Sequence, residues 1–122
     1  MNISDIDRHI KSMGDFQLHD FCILRELRIH LCPQEGAPVI NMQMKLIAKK
    51  HNIQAELMLK FIKITSLVLD LSAGNEKIHG FRMENISDRK LEDISWQVFD
   101  YEDKTISFYA KDIEIINSGT SE

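Results

Sequence analysis

The chain has 122 residues, 43% of them apolar and 28% charged, and a net charge of −4. This length fits one domain with one core, and the apolar share excludes a disordered chain. The longest stretch without charge, Gly36 to Met44, is far short of the roughly 20 apolar residues a membrane-spanning helix needs.

The first element expected is a short helix over about residues 3–13, where Ile3, Ile6, Ile10 and Met13 make one apolar stripe. Ser4 is placed to cap its start, and Gly14 to end it. After Gly14 the apolar period changes from 3.6 to 2, which predicts a long strand from about Gln17 to Cys32 with Leu27, Ile29 and Leu31 on one face. A loop with both prolines, Pro33 and Pro38, follows. Ile40, Met42, Met44, Leu46 and Ala48 then alternate with polar residues as a half-buried strand.

A turn at His51-Asn52 leads to Leu57, Leu59 and Phe61, and later to Leu67, Leu69 and Leu71. Ile62 and Ile64 interrupt that parity, so near Lys63 the strand is either buried on both faces or shifted by a bulge. A shorter strand holds Phe81 and Met83, and the next holds Ile94, Trp96 and Val98. Glu102-Asp103-Lys104 forms a charged hairpin tip. The last strand places Ile106, Phe108 and Ala110 on one face and then changes parity near Asp112, at Ile113 and Ile115. The pattern predicts a mainly β (α+β) single domain over 1–122: about six antiparallel strands within 17–116, in a strongly curled sheet or sandwich, one short N-terminal helix, and a frayed tail over 117–122.

Charge is uneven along the chain. Residues 1–81 carry ten basic and nine acidic side chains, whereas residues 82–122 carry five and ten. No basic stripe exists to neutralise phosphates, which argues against a nucleic-acid partner. Asp5, Asp7, Arg8, Lys11 and Asp15 interrupt the N-terminus where a secretory leader is apolar. Two cysteines, Cys22 and Cys32, then read as cytoplasmic thiols rather than a disulfide framework.

Catalytic patterns are missing. There is no Gly-x-Ser-x-Gly elbow, and the five glycines are scattered rather than gathered into a phosphate loop. His30 and Cys32 share a strand face and supply half of a tetrahedral metal set, without a second half. Met42, Met44 and Met58 lie on neighbouring strands and suit either a pliable cavity or an irregular core. Asp100, Tyr101, Glu102 and Asp103 combine an aromatic off the core parity with a cluster of acids, a pattern suited to a protein contact.

Leu18-His19-Asp20 ahead of a long strand, the run Leu59-Lys60-Phe61-Ile62-Lys63-Ile64 and the run from Ile106 to Ile115 together resemble small bacterial β-rich immunity proteins of polymorphic toxin systems. The resemblance runs from about residue 17 to 116 and implies a cytoplasmic protein that works by binding another protein. The expectation is therefore a non-enzymatic inhibitor that occludes a toxin surface through Asp100, Tyr101, Glu102 and Asp103. The partner is a protein, of the kind a basic toxin domain provides, with neither nucleic acid nor membrane, no cofactor and no assigned metal. The chain itself is expected to be a monomer or a weak homodimer paired through an exposed strand edge. The alternative is a small-ligand or metal-binding β domain using His30 and Cys32 or the methionine strands.

Overall fold

The computed structural model describes residues 3–33, 36–70, 77–102 and 104–121. Helix α1 (Ile3–Ser12) forms where the apolar stripe predicts, with Ile6 and Ile10 buried. Gly14, at φ +127°, lets the chain leave the helix end. The expected start of the first strand is corrected here. Residues Leu18–Asp20 form a 3-10 turn, and the Asp20 carboxylate accepts the Gln17 N–H at 2.8 Å. A local side-chain bond to the backbone thus wins over strand pairing.

The strands are β1 (Ile23–Cys32), β2 (Val39–Lys50), β3 (Ile53–Ile62), β4 (Thr65–Leu69), β5 (Phe81–Asn85), β6 (Trp96–Asp100), β7 (Ile106–Ala110) and β8 (Asp112–Ser121). They form two open four-stranded antiparallel sheets, sheet A in the order β1-β2-β3-β8 and sheet B in the order β4-β7-β6-β5. The class is mainly β, as expected, and the arrangement is a pair of facing sheets rather than a strongly curled one.

Eight strands replace the expected six because two long strands each turn a corner. β3 leads into β4 through Lys63, at φ +54°, and β7 leads into β8 through Lys111. The two composite strands stay paired on both sides of the break: Ile62 faces Asp112 in sheet A and Thr65 faces Tyr109 in sheet B. Between them the Lys111 N–H donates to the Ile62 carbonyl at 2.9 Å. The parity changes near Lys63 and Asp112 are therefore the line along which the sheet folds over. A clasp holds that line. The Lys63 N–H donates to Asn41 Oδ1 at 2.9 Å, the Ile64 N–H donates to the Ile40 carbonyl at 2.8 Å, and the Asp93 carboxylate binds the ammonium groups of Lys63 and, at 3.6 Å, Lys111.

The inner faces meet in one core. Met42, Met44 and Leu46 of β2 and Leu57, Leu59 and Phe61 of β3 join Trp96, Val98, Ile106 and Phe108 of sheet B. Phe61 and Phe108, one from each sheet, touch edge to face with ring centres 4.8 Å apart. Ile10, Phe16 and Phe21 from the N-terminal segment complete the cluster. The tail expected to fray is strand up to Ser121, which pairs with Gln54. β3 is long enough to template it, even though Gly119, Thr120 and Ser121 are exposed.

Candidate protein-binding face

The two sheets carry different chemistry on their outer faces. On sheet A the side chains pointing outward are charged and largely neutralise one another. Glu26 pairs with Arg28, and Lys45 lies 3.4 Å from Glu26 and 3.5 Å from Glu56. Desolvation alone would push the Glu26 carboxyl up, yet Arg28 and Lys45 together hold it below the usual carboxylate range.

The outer face of sheet B carries the aromatic side chains Phe99 and Tyr109, with the Arg82–Glu84 ion pair beside them on β5. Phe99 pairs laterally with Ser107 on one side and Arg82 on the other, and Ser107 faces Val68 of β4. One row away, Tyr109 faces Gln97. Phe99 and Tyr109 are half-buried, and Val68 is 59% exposed. Val68, Gln97, Phe99, Tyr101, Lys104 and Ser107 line a shallow groove of about 410 Å³. Asp100 and Ile106 also line it, so that with Lys104 the groove holds two charged residues.

Tyr101 stands at the end of this groove, half exposed and firmly held. Its backbone N–H donates to the Gly80 carbonyl at 3.3 Å, and its ring lies flush on Gly80, where an added Cβ would stand 2.7 Å from the ring. The Arg82 guanidinium sits 5.0 Å from the ring centre, in cation–π range. An exposed ring fixed from two sides meets a partner with little loss of side-chain entropy.

The four residues singled out from sequence separate in the structure. Tyr101 and Glu102 are exposed on the β6–β7 hairpin. Asp100 is only 2% exposed, so its place in an exposed acidic patch is corrected. Its carboxylate accepts the N–H groups of Thr105 at 3.0 Å and Ile106 at 2.8 Å and so shapes the hairpin from inside. Asp103 lies outside the described residues. Phe99, Tyr109 and Val68 were not singled out. Their signal was present: Phe99 shares parity with Gln97, and Tyr109 with Ser107, so each is an aromatic where the alternation calls for a polar residue.

The other candidates disperse. Met42 and Met44 are buried on the inner face, whereas Met58 pairs with Lys45 on the outer one, so the three line no common cavity. Cys32 Sγ accepts a hydrogen bond from Asn41 Nδ2 at 3.4 Å, while His30 is exposed beside it on β1. Among the described residues no group of three or more His, Cys, Asp or Glu is placed to hold a metal, both cysteines are free, and no helix is long and apolar enough to cross a membrane.

Two open antiparallel sheets over one core, with one N-terminal helix, define a small mainly β domain. The model of the immunity protein PIM8 family matches residues 6–115, and the chain belongs to that family. Membership gives it a toxin-neutralising, protein-binding role, in agreement with the class expected from its sequence. No curated protein and no solved structure matches the chain.

Proposed function

We propose that this protein acts in the cytoplasm as a non-enzymatic inhibitor, silencing a toxin by covering its surface with the outer face of sheet B. The observation that carries this reading is that Val68, Phe99 and Tyr101 line one groove on the outer face of sheet B, with Tyr109 on the same face. Tyr101 is the anchor, because a pinned and half-exposed ring is the kind of side chain on which binding energy concentrates. Glu102 is exposed on the hairpin, and the negative charges of Glu102 and its neighbour in sequence, Asp103, speed encounter with a basic toxin domain, adding on-rate more than affinity.

Affinity capture with the wild-type chain from the source cell, followed by expression of the captured protein alone, tests the reading. The expected partner arrests growth, and co-expression of this chain restores it. Tyr101→Ser should weaken binding by at least about 30-fold, a loss of roughly 2 kcal/mol, and abolish the rescue while leaving the fold intact. Glu102→Ser with Asp103→Ser should slow association at low salt and leave dissociation unchanged. Full rescue by a chain carrying both Tyr101→Ser and Val68→Asp would move the toxin contact away from sheet B.

A further inference from the structure

Sheet A ends at β1, whose free edge differs from every other edge of the two sheets. β4 is broken between Thr65 and Val68, where Ser66 takes φ +55°. β5 is short, spanning only Phe81–Asn85. β8 carries an irregularity at Ile116, then continues in Asn117, Ser118, Gly119 and Thr120. Each is blunted in a manner common to natural edge strands. On β1 the bulge lies early, at Arg25, and among the described residues the one pairing on this edge is an isolated bridge from Ile23 to Lys77 at its start. From Glu26 to Cys32 the strand is regular, free of proline and roughly 23 Å long.

That stretch also leaves apolar side chains in water. Ile29 pairs with Met42, which is buried, so Ile29 stands on the inner face of sheet A, as do Leu27 and Leu31. Leu27 is half-buried against the core, but Ile29 is 50% exposed and Leu31 66% exposed, next to Ile40 of β2 at 37%. The topology explains the gap. β4 continues β3 and is the last strand of sheet B, so no strand of sheet B extends beyond it on the side where sheet A adds β2 and β1.

We infer that β1 pairs antiparallel with β1 of a second copy of this chain, joining two copies of sheet A into one continuous eight-stranded sheet. A two-fold axis at Ile29 selects the register. It sets Ile29 on Ile29 of the second copy and Leu27 on Leu31 of the second copy, and closes the apolar row from both sides. On the outer face it sets Arg28 opposite His30 and Glu26 opposite Cys32, with each Arg28 already carrying Glu26 as counter-ion. Moving the axis one residue back stacks Arg28 directly on Arg28. Moving it to Leu27 drives Ile29 against the bulge at Arg25. An axis at His30 or Leu31 sets Leu27 or Ile29 opposite Pro33, beyond the strand, so the Ile29 register is the one that pairs Leu27, Ile29 and Leu31 entirely within the regular part of β1. The interface is narrow, at the small end for protein contacts, so the dimer forms at high concentration rather than at nanomolar levels.

Sedimentation equilibrium of the full chain, from about 10 μM to about 1 mM, tests the inference. The mass should rise from 14.2 kDa toward twice that value. Ile29→Lys and Leu31→Glu alter exposed side chains and should leave thermal unfolding nearly unchanged. Because each substitution acts twice across the axis, the dissociation constant should rise by about 100-fold. Ile116→Lys on the β8 edge should leave it unaltered. A wild-type chain that stays monomeric at about 1 mM overturns the inference, as does a dimer that survives Ile29→Lys or is lost with Ile116→Lys. Toxin neutralisation is read separately, so either proposal stands or falls without the other.

Discussion

Tyr101 and Asp100 are adjacent acid and ring on one hairpin, yet they do opposite work, and parity explains why. Asp100 continues the inward series of Trp96 and Val98, so its carboxylate enters the molecule and satisfies two backbone donors; Tyr101 falls beyond the strand and reaches solvent. Removing the buried acceptor in Asp100→Ala leaves the Thr105 and Ile106 N–H groups without a partner. It should cost about 1–3 kcal/mol in a urea titration, with Asp100→Asn recovering part of that. Gly80→Ala tests the neighbour. The new methyl would overlap the Tyr101 ring, and φ +74° disfavours any side chain there. Stability should fall by about 1–2 kcal/mol, and toxin affinity should fall nearly as far as in Tyr101→Ser; retained affinity would mean that the held position of the ring is unimportant. The exposure of Tyr101 was legible in the sequence because it is an aromatic outside the strand pattern. Asp100 was misread because three acids so close together look like one patch, and only the inward parity of its position distinguishes a hairpin brace from a surface charge.

At the scale of elements, the alternation located almost every strand but not the corners. A bulge and a passage from one sheet to another both shift parity by one residue, so Ile62-Lys63-Ile64 reads the same for either. The distinguishing information is long-range: Asn41 and Asp93 bind Lys63 from two other parts of the chain, and Lys111 binds the same Asp93 from a third. The clasp also makes the corner sensitive to acid. The hydrogen bond from the Lys63 ammonium, aided by Lys111, holds the Asp93 carboxyl below the usual carboxylate range against the opposing effect of desolvation. A carboxyl whose folded value is depressed adds stability that is fully present above its unfolded value and is lost as pH falls from there through the lower folded value. Urea midpoints at pH 7 and at about pH 2.5 should therefore differ less for Asp93→Asn than for the wild type. An equal acid loss in both would show that the clasp is not what acid releases.

For the whole molecule, the fold line raises the question of whether two sheets joined at a corner unfold as one body or in sequence. Covalent continuity through Lys63 and Lys111 would permit either. The packing argues for one body, because the core has no seam between the sheets: Phe61 of β3 and Phe108 of β7 share an aromatic contact, and α1 adds Ile6 and Ile10 to the same cluster. Opening one sheet would strip the buried face of the other, so an intermediate with a single intact sheet would expose most of the core at once. The protein supplies its own reporter, since the single tryptophan, Trp96, is buried in sheet B, while amide exchange along β2 and β3 reports on sheet A. Trp96 fluorescence and β2–β3 exchange should give the same unfolding free energy. Phe61→Ala, made in sheet A, should lower both by the same amount, about 3–5 kcal/mol. A variant in which β2 and β3 lose protection while Trp96 keeps its native emission would show two separable sheets, and the shared core would then not be what joins them.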